Sequence, residues 1–284
     1  KTVEARVGGE GAKAARRGLN EALVYFRFGK RFEQTFSVDP IELPATLPHP
    51  PPVKAQQGYS PGVEAVTQGK HSISDVAGYV AAFPIPEVVM GINAFARGMR
   101  SVNPKAEVKV IWVNSWFDPG KESEAANTLI SQQADVVTHH TDSTAAVQAA
   151  EAKKVYAIGY HSDMSKYGPN AQLTAVTHHW GDYYTKVAQS VVDGKWQQDN
   201  VWGGIKDGMI KLAPFNKVVP ADVQAMVRKA EGEIAAGKLH PFTGPMKDNS
   251  GKERLAAGRS ITDGDLSKMD YYVEGVVGKL PTSK

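Results

Sequence analysis

From about residue 77 the sequence switches back and forth between two hydrophobic periods, and this alternation restricts the fold more than any other feature. Ala77-Gly78-Tyr79-Val80-Ala81-Ala82 is a short apolar run of the kind buried in a sheet. Pro84 and Pro86 end it, and Pro86 suits the first turn of a helix, where its missing N–H would go unpaired anyway. Val88, Val89, Ile92, Phe95, Ala96 and Met99 then recur at helical spacing until Asn103-Pro104. The same reading predicts strands at 108–113, 135–138, 155–159 and 173–177, and helices at 121–133, 144–152 and 182–192, the last closed by Gly194. Four successive strand–helix units predict an α/β fold, a parallel sheet with helices on both faces.

The two ends of the chain read differently. Ile205 to Leu212 alternates like a strand, Pro220 to Ala236 reads as a helix, and 240–252 as a hairpin turning at Asn249 to Gly251. Gly11 to Leu23 suits a helix and Leu23 to Phe28 a strand, whereas Pro40, Pro44, Pro48, Pro50, Pro51 and Pro52 suit neither helix nor central strand. A chain that crosses between two lobes is expected. Residues 1–76 with about 204–284 would make the N-terminal lobe and crossover segments, and 77–203 the second α/β lobe.

Composition removes several classes of function. At 284 residues, 42% hydrophobic and 22% charged, the chain has ample material for a core. A net charge of +3, spread along the whole length, leaves no footprint for nucleic acid. No apolar stretch is long enough to span a bilayer as a helix. The absence of cysteine removes disulfides, thiolate zinc sites and cysteine nucleophiles. Lys1 is followed by a polar stretch with no apolar signal region, so a cytoplasmic or an already processed chain is expected.

In an open parallel sheet, ligands bind beyond the carboxyl ends of the strands, where loops and helix N-termini converge. Phe83 follows the first strand and Asn114-Ser115-Trp116-Phe117-Asp118 the second. His139-His140-Thr141-Asp142-Ser143 follows the third, Tyr160-His161-Ser162-Asp163 the fourth, and His178-His179-Trp180 the fifth. Five of the eight histidines fall at these points, so the enrichment marks a site. Each residue also has a plainer role: Asp142 or Ser143 as a helix cap, Asp163 as an Asx-turn former, Trp116 as a rim packing residue, Phe83 and Tyr160 as half core. Aromatic faces with carboxylate acceptors fit a heteroaromatic or polyhydroxylated small molecule, and no Gly-rich loop faces the cleft for a phosphate. Trp112, inside its strand, is expected to be buried.

Competing motifs are weaker. Gly9-Glu10-Gly11-Ala12-Lys13-Ala14 follows too short and polar a strand for a dinucleotide loop, and Gly69-Lys70 lacks the Ser or Thr that closes a phosphate loop. The serious competitor is a metal-dependent hydrolase using His139, His140, His161, His178 and His179 with Asp142 and Asp163. Adjacent histidines on a strand point to opposite faces, which works against a common metal centre. No cofactor and no metal is therefore expected.

Several segments carry a resemblance, and some are long enough to be specific: Tyr79-Val-Ala-Ala-Phe-Pro-Ile-Pro-Glu-Val, Gly91-Ile-Asn-Ala-Phe, Trp112-Val-Asn-Ser-Trp-Phe-Asp-Pro-Gly-Lys-Glu, His140-Thr-Asp-Ser and Gly203-Gly-Ile-Lys-Asp-Gly-Met. They resemble the basic membrane protein family, the substrate-binding proteins of ABC importers that include purine-nucleoside receptors. The resemblance runs from about residue 77 to about 245. It implies a two-lobed, type I periplasmic-binding-protein fold, each lobe with a mostly parallel sheet, hinged around a ligand cleft. It implies a purine base or nucleoside as ligand, adenine among the candidates, no catalysis, a permease in the inner membrane as partner, a periplasmic or membrane-tethered location and a monomer. By the same resemblance Trp116 stacks on the base, Asp142 and Asp163 place carboxylates near the ligand, and Lys206 and Asp207 border the cleft. Phe28 is the expected second stacking face from the first lobe. The chain departs from the family in carrying His161 where a second Asp is common, and in lacking the family's opening strand and Trp-containing loop.

Overall fold

The computed structural model describes residues 76–198 and 201–281. Phe28 and every expectation for residues 1–75 lie outside them. The described chain divides into two compact units, one of residues 76–178 and 204–281, the other of residues 179–198 and 201–203.

The larger unit is built on a seven-stranded sheet. Its elements in chain order are β1 (Val76–Ala81), α1 (Pro86–Val102), β2 (Glu107–Trp112), α2 (Pro119–Ser131), β3 (Val136–His140), α3 (Ala145–Lys153), β4 (Tyr156–His161) and β5 (Gln172–His178). In the other unit, α4 spans Gly181–Val192. The chain then returns with β6 (Ile210–Leu212), α5 (Ala221–Ala235), the hairpin strands β7 (Met246–Lys247) and β8 (Glu253–Leu255), the short α6 (Asp263–Leu266) and β9 (Val276–Val277). The strand order is β6-β5-β4-β3-β1-β2-β9, parallel throughout except for β6, which runs antiparallel to β5.

The expected parallel sheet is present, and side chains alternate between its two faces as the period of 2 requires. Val80 joins the cluster that α2 and α3 cover with Ala125, Ala126, Leu129, Ala146 and Ala149. Tyr79, its neighbour, packs on the opposite face edge-on against Phe95 of α1, with ring centroids 5.7 Å apart. Gly78 lets α2 come close: a Cβ there would lie 2.8 Å from that of Leu129. The helix starts follow the sequence signals. Pro86 opens α1, and Asp118 caps α2 by accepting from the Lys121 amide at 3.1 Å, with Pro119 in the first turn.

Two expectations are corrected. The strand expected over 205–212 shrinks to Ile210–Leu212, because residues 205–208 form a turn with Gly208 at φ 70°. The expected division at 203/204 also differs from the arrangement seen. Residues 204–281 belong with the sheet of 76–178, since β6 pairs with β5 and β9 with β2. Side chains reinforce this: Thr174 and Thr177 donate to the carbonyls of Ala213 and Lys211, each at 2.9 Å. Asn93 and Arg97 of α1 bind tail carbonyls of Tyr271, Pro241 and Thr243. A strand edge with unpaired amides is completed by whichever segment reaches it, and here that segment is the tail.

Candidate functional site

In this order the sheet reverses its winding direction between β1 and β3, and that switch point is where open α/β sheets hold ligands. Phe83 stands on one side of it and the loop after His140 on the other. The ladder runs past β1 and β2 through Val113 and Asn114, which donate to Ala81 and Ala82. Asn114 then takes a left-handed φ of 52° and turns the chain into Trp116.

The loops after β2 and β3 are joined. The amide of Asp142 donates to the Trp116 carbonyl at 2.7 Å. Beneath them lies Glu122, 0% exposed, whose Oε1 accepts from the Asp118 amide at 3.0 Å. Its Oε2 accepts from the hydroxyls of Thr141 at 2.7 Å and Ser143 at 2.6 Å. One buried carboxylate thus braces both loops, a role no motif in the sequence pointed to.

The predicted aromatic residues form a continuous series along the strand ends. Phe83 lies 5.4 Å from Trp116, Trp116 6.0 Å from His140, and His140 4.6 Å from Tyr160, centroid to centroid. His161 packs on Tyr160 at 4.1 Å, and His178 lies 5.0 Å from His161 and 5.4 Å from Tyr160. Phe83 and Trp116 are half-buried, while His140 and Tyr160 are buried. The series is a wall of flat faces, suited to a planar ring.

Burial sets the charge of this wall. His140 has its pKa pushed down to about 3 by burial, then by His178 and His139. His161 is held well below the usual histidine range by burial and by His140, His178 and His139. Both imidazoles are neutral at pH 7. Burial, with Tyr79, Glu87 and Asp142 adding, raises the Tyr160 phenol, whose OH is buried without a hydrogen bond. Asp142 is exposed, with Oδ1 3.4 Å from His161 Nε2.

The remaining predicted residues sit differently. Asp163 forms the plainer structure, its Oδ1 accepting from the Ser165 amide at 2.9 Å and from Gln172 Nε2 at 2.8 Å. Lys206 and Asp207 are exposed in the turn before β6, and Asp207 accepts from the Gly204 amide at 3.0 Å. That turn lies near the rim, since Ile210 pairs with His178. His139 faces away from His140, as adjacent strand residues must, and its Nδ1 lies 3.1 Å from the Thr141 carbonyl. Among the described residues, no three His, Asp or Glu side chains are grouped to hold a metal ion, so the hydrolase alternative has no support in this geometry. His140, His161 and His178 belong to the wall as aromatic rings; the sequence placed them at the strand ends and offered them as metal ligands, but gave them no part as flat faces.

A family model described as ABC transporter substrate-binding protein PnrA-like (Bmp) matches residues 56–237. A purine-binding protein of Brucella abortus is 50% identical over 77% of this chain and 62% of its own length. A putative ABC transporter glucose-binding protein of Haloferax volcanii is 38% identical over 74% of this chain and 51% of its own. The chain thus spans about half to about three fifths of the length of these curated relatives. Among solved structures, an ABC transporter solute-binding protein from Conexibacter woesei matches with a TM-score of 0.53 at 23% identity, over 67% of this chain and 66% of that one. Another from Aeropyrum pernix matches with 0.54 at 16% identity, over 72% and 63%. These likenesses agree with the α/β, type I periplasmic-binding-like fold. With the family model covering most of its length, this chain belongs to the PnrA-like substrate-binding proteins of ABC transporters, a family that binds solutes and does not catalyse.

Proposed function

We propose that this protein is a receptor for a purine base or nucleoside, delivering it to an ABC permease from outside the cytoplasm. The observation that carries the reading is the continuous wall from Phe83 through Trp116 and His140 to Tyr160, His161 and His178. Trp116 and Phe83 offer the stacking faces, each worth on the order of 1 kcal/mol or more against a planar ring. Asp142, exposed at the switch point, accepts from ring or amino N–H groups. Tyr160, protonated and without a partner for its OH, donates to an acceptor on the ligand. Lys206 and Asp207 border the ligand from the turn before β6. Asp163 acts at one remove, holding the loop that follows β4. No helix among the described residues is long and apolar enough to cross a membrane. In this reading the protein works as a monomer beside its permease.

The purine named for the Brucella relative supports this ligand class; the glucose named for the Haloferax relative is the competing one. Isothermal calorimetry against adenine, guanine, hypoxanthine, their nucleosides and glucose separates them. Binding of at least one purine with none of glucose is expected. Heat from glucose alone, or from none of these compounds, overturns the reading.

A further inference from the structure

The peptide group between Thr141 and Asp142 is held at both ends. Its N–H, that of Asp142, donates to the Trp116 carbonyl at 2.7 Å, and its C=O, that of Thr141, lies 3.1 Å from Nδ1 of His139. A trans peptide is planar, with its C=O and N–H pointing opposite ways. Two such bonds therefore fix the plane, and with it the direction in which Asp142 leaves the backbone. His139 is 0% exposed, and burial lowers its pKa against the opposing pull of Glu122 and of its bond to Thr141. The ring is neutral at pH 7 and has one proton to place. Its neighbours put that proton on Nδ1. A carbonyl can only accept, and Thr141 Oγ1, 3.3 Å from the same nitrogen, already donates to Glu122 Oε2 at 2.7 Å. Nε2 is then the lone-pair nitrogen, sealed from solvent and without a hydrogen-bond partner among the described residues. A buried unpaired acceptor costs stability. An apolar side chain of similar volume would avoid that cost, so packing alone does not call for an imidazole here.

We propose that His139 is a positioning residue for the binding site: by donating from Nδ1 to the Thr141 carbonyl it sets the peptide that aims Asp142 and ties Trp116, without touching the ligand. The inference rests on the purine reading above. Glu122 holds this loop by the hydroxyls of Thr141 and Ser143, whereas His139 holds it by its backbone, so the two restrain different motions. Without the imidazole donor the peptide can tilt while both hydroxyls stay bound. A tilted peptide turns the Asp142 carboxylate away from a ligand N–H and loosens the Trp116 loop together, and small misplacements of positioning groups are costly.

The test uses calorimetry and thermal melts, with the tightest binder among adenine, guanine, hypoxanthine and their nucleosides as the probe. His139→Phe keeps a ring without a donor and is expected to weaken binding about tenfold. Its melting temperature should move little, because the lost bond is offset by removal of the unpaired Nε2. His139→Asn, whose amide nitrogen takes the place of Nδ1, is expected to restore most of the affinity. In an Asp142→Ala background His139→Phe should cost clearly less affinity, since the carboxylate it aims is gone. Should His139→Phe not fold, His139→Gln replaces it, its amide reaching the place of Nε2 and not that of Nδ1. Nitrogen-15 NMR of the unaltered protein should show the His139 proton on Nδ1. No purine binding by the wild type overturns the purine reading and this inference together. Where a purine does bind, any of four results overturns this inference alone: unaltered affinity in His139→Phe or its replacement, an equal loss in His139→Asn, a loss undiminished by Asp142→Ala, or the proton on Nε2.

Discussion

The backbone amide of Asp142 donates to the carbonyl of Trp116 at 2.7 Å, so the acceptor and the stacking face of the candidate site share one rigid junction although they follow different strands. The junction rests on Glu122, which binds the loop of each through a separate oxygen. Stacking and hydrogen bonding are therefore geometrically coupled: a shift of either loop displaces both groups.

Trp116→Ala is expected to weaken ligand binding by about ten- to a hundredfold, the loss of one stacking face of roughly 1–3 kcal/mol. The melting temperature should move little, because the side chain is half-buried in a loop. Trp116→Phe should recover most of the affinity. Trp112 is the comparator, with a revision. Expected to be fully buried, it is half-buried, and its Nε1 donates to the Tyr272 hydroxyl at 2.9 Å. Trp112→Phe should cost about 1–2 kcal/mol of stability, mainly from that bond, and leave affinity unchanged. Calorimetry with thermal melts reads both, and a large melting shift with intact affinity in Trp116→Ala would make it a packing residue.

Glu122→Ala leaves three donors without their acceptor in a buried place, and is expected to cost about 3–5 kcal/mol in urea unfolding. Glu122→Gln keeps an acceptor oxygen and should cost clearly less. In both variants affinity should fall although residue 122 lies beneath the site, because the two loops it braces lose their register. Unaltered affinity in a folded Glu122→Gln protein would confine the residue to stability.

Acid should destabilise the protein well before its carboxylates titrate. His140 binds a proton near pH 3 when folded but near 6.5 when unfolded, and His139 and His161 are lowered too. Between these values the unfolded chain holds more protons, so stability falls as pH falls, by up to about 1.4 kcal/mol per pH unit for each such group. Asp248, whose carboxyl is depressed mainly by its bond from Ser250, adds to the loss only near its ordinary 3.8 and below. The interval from pH 6.5 to 5 thus belongs to histidines. Urea midpoints should be flat above pH 7 and drop across that interval. His140→Phe should shrink the drop.

Asn93 fastens the tail to α1 with both ends of its amide. Its Nδ2 donates to the Tyr271 carbonyl at 2.8 Å, and its Oδ1 accepts from the Val273 amide at 3.0 Å. The residue is 0% exposed, so Asn93→Ala should cost about 2–4 kcal/mol. Native-state hydrogen exchange should locate the loss: the Val273 amide should exchange much faster than amides of β1 and β3. Uniform acceleration across the sheet would mean that the tail opens only with the whole unit.

Much of the chain's organisation was legible along its length because it is local. A strand repeats every second residue and a helix every 3.6, so neighbours in sequence report which element they form, and Pro86 and Asp118-Pro119 mark helix starts by their own backbone chemistry. The strand ends, and with them Phe83, Trp116, Asp142 and Tyr160, followed from those periods alone. Pairing through space is not local, and no period in one segment names its partner in another. Only the tertiary structure put β1 between β3 and β2, brought the tail back to both ends of the sheet, and turned His140 to the rim while His139 faced Glu122. The same holds for His161: its sequence neighbours are equally consistent with a metal ligand, and it became a neutral ring beside Asp142 because burial removes its charge and the fold delivers the carboxylate from another loop.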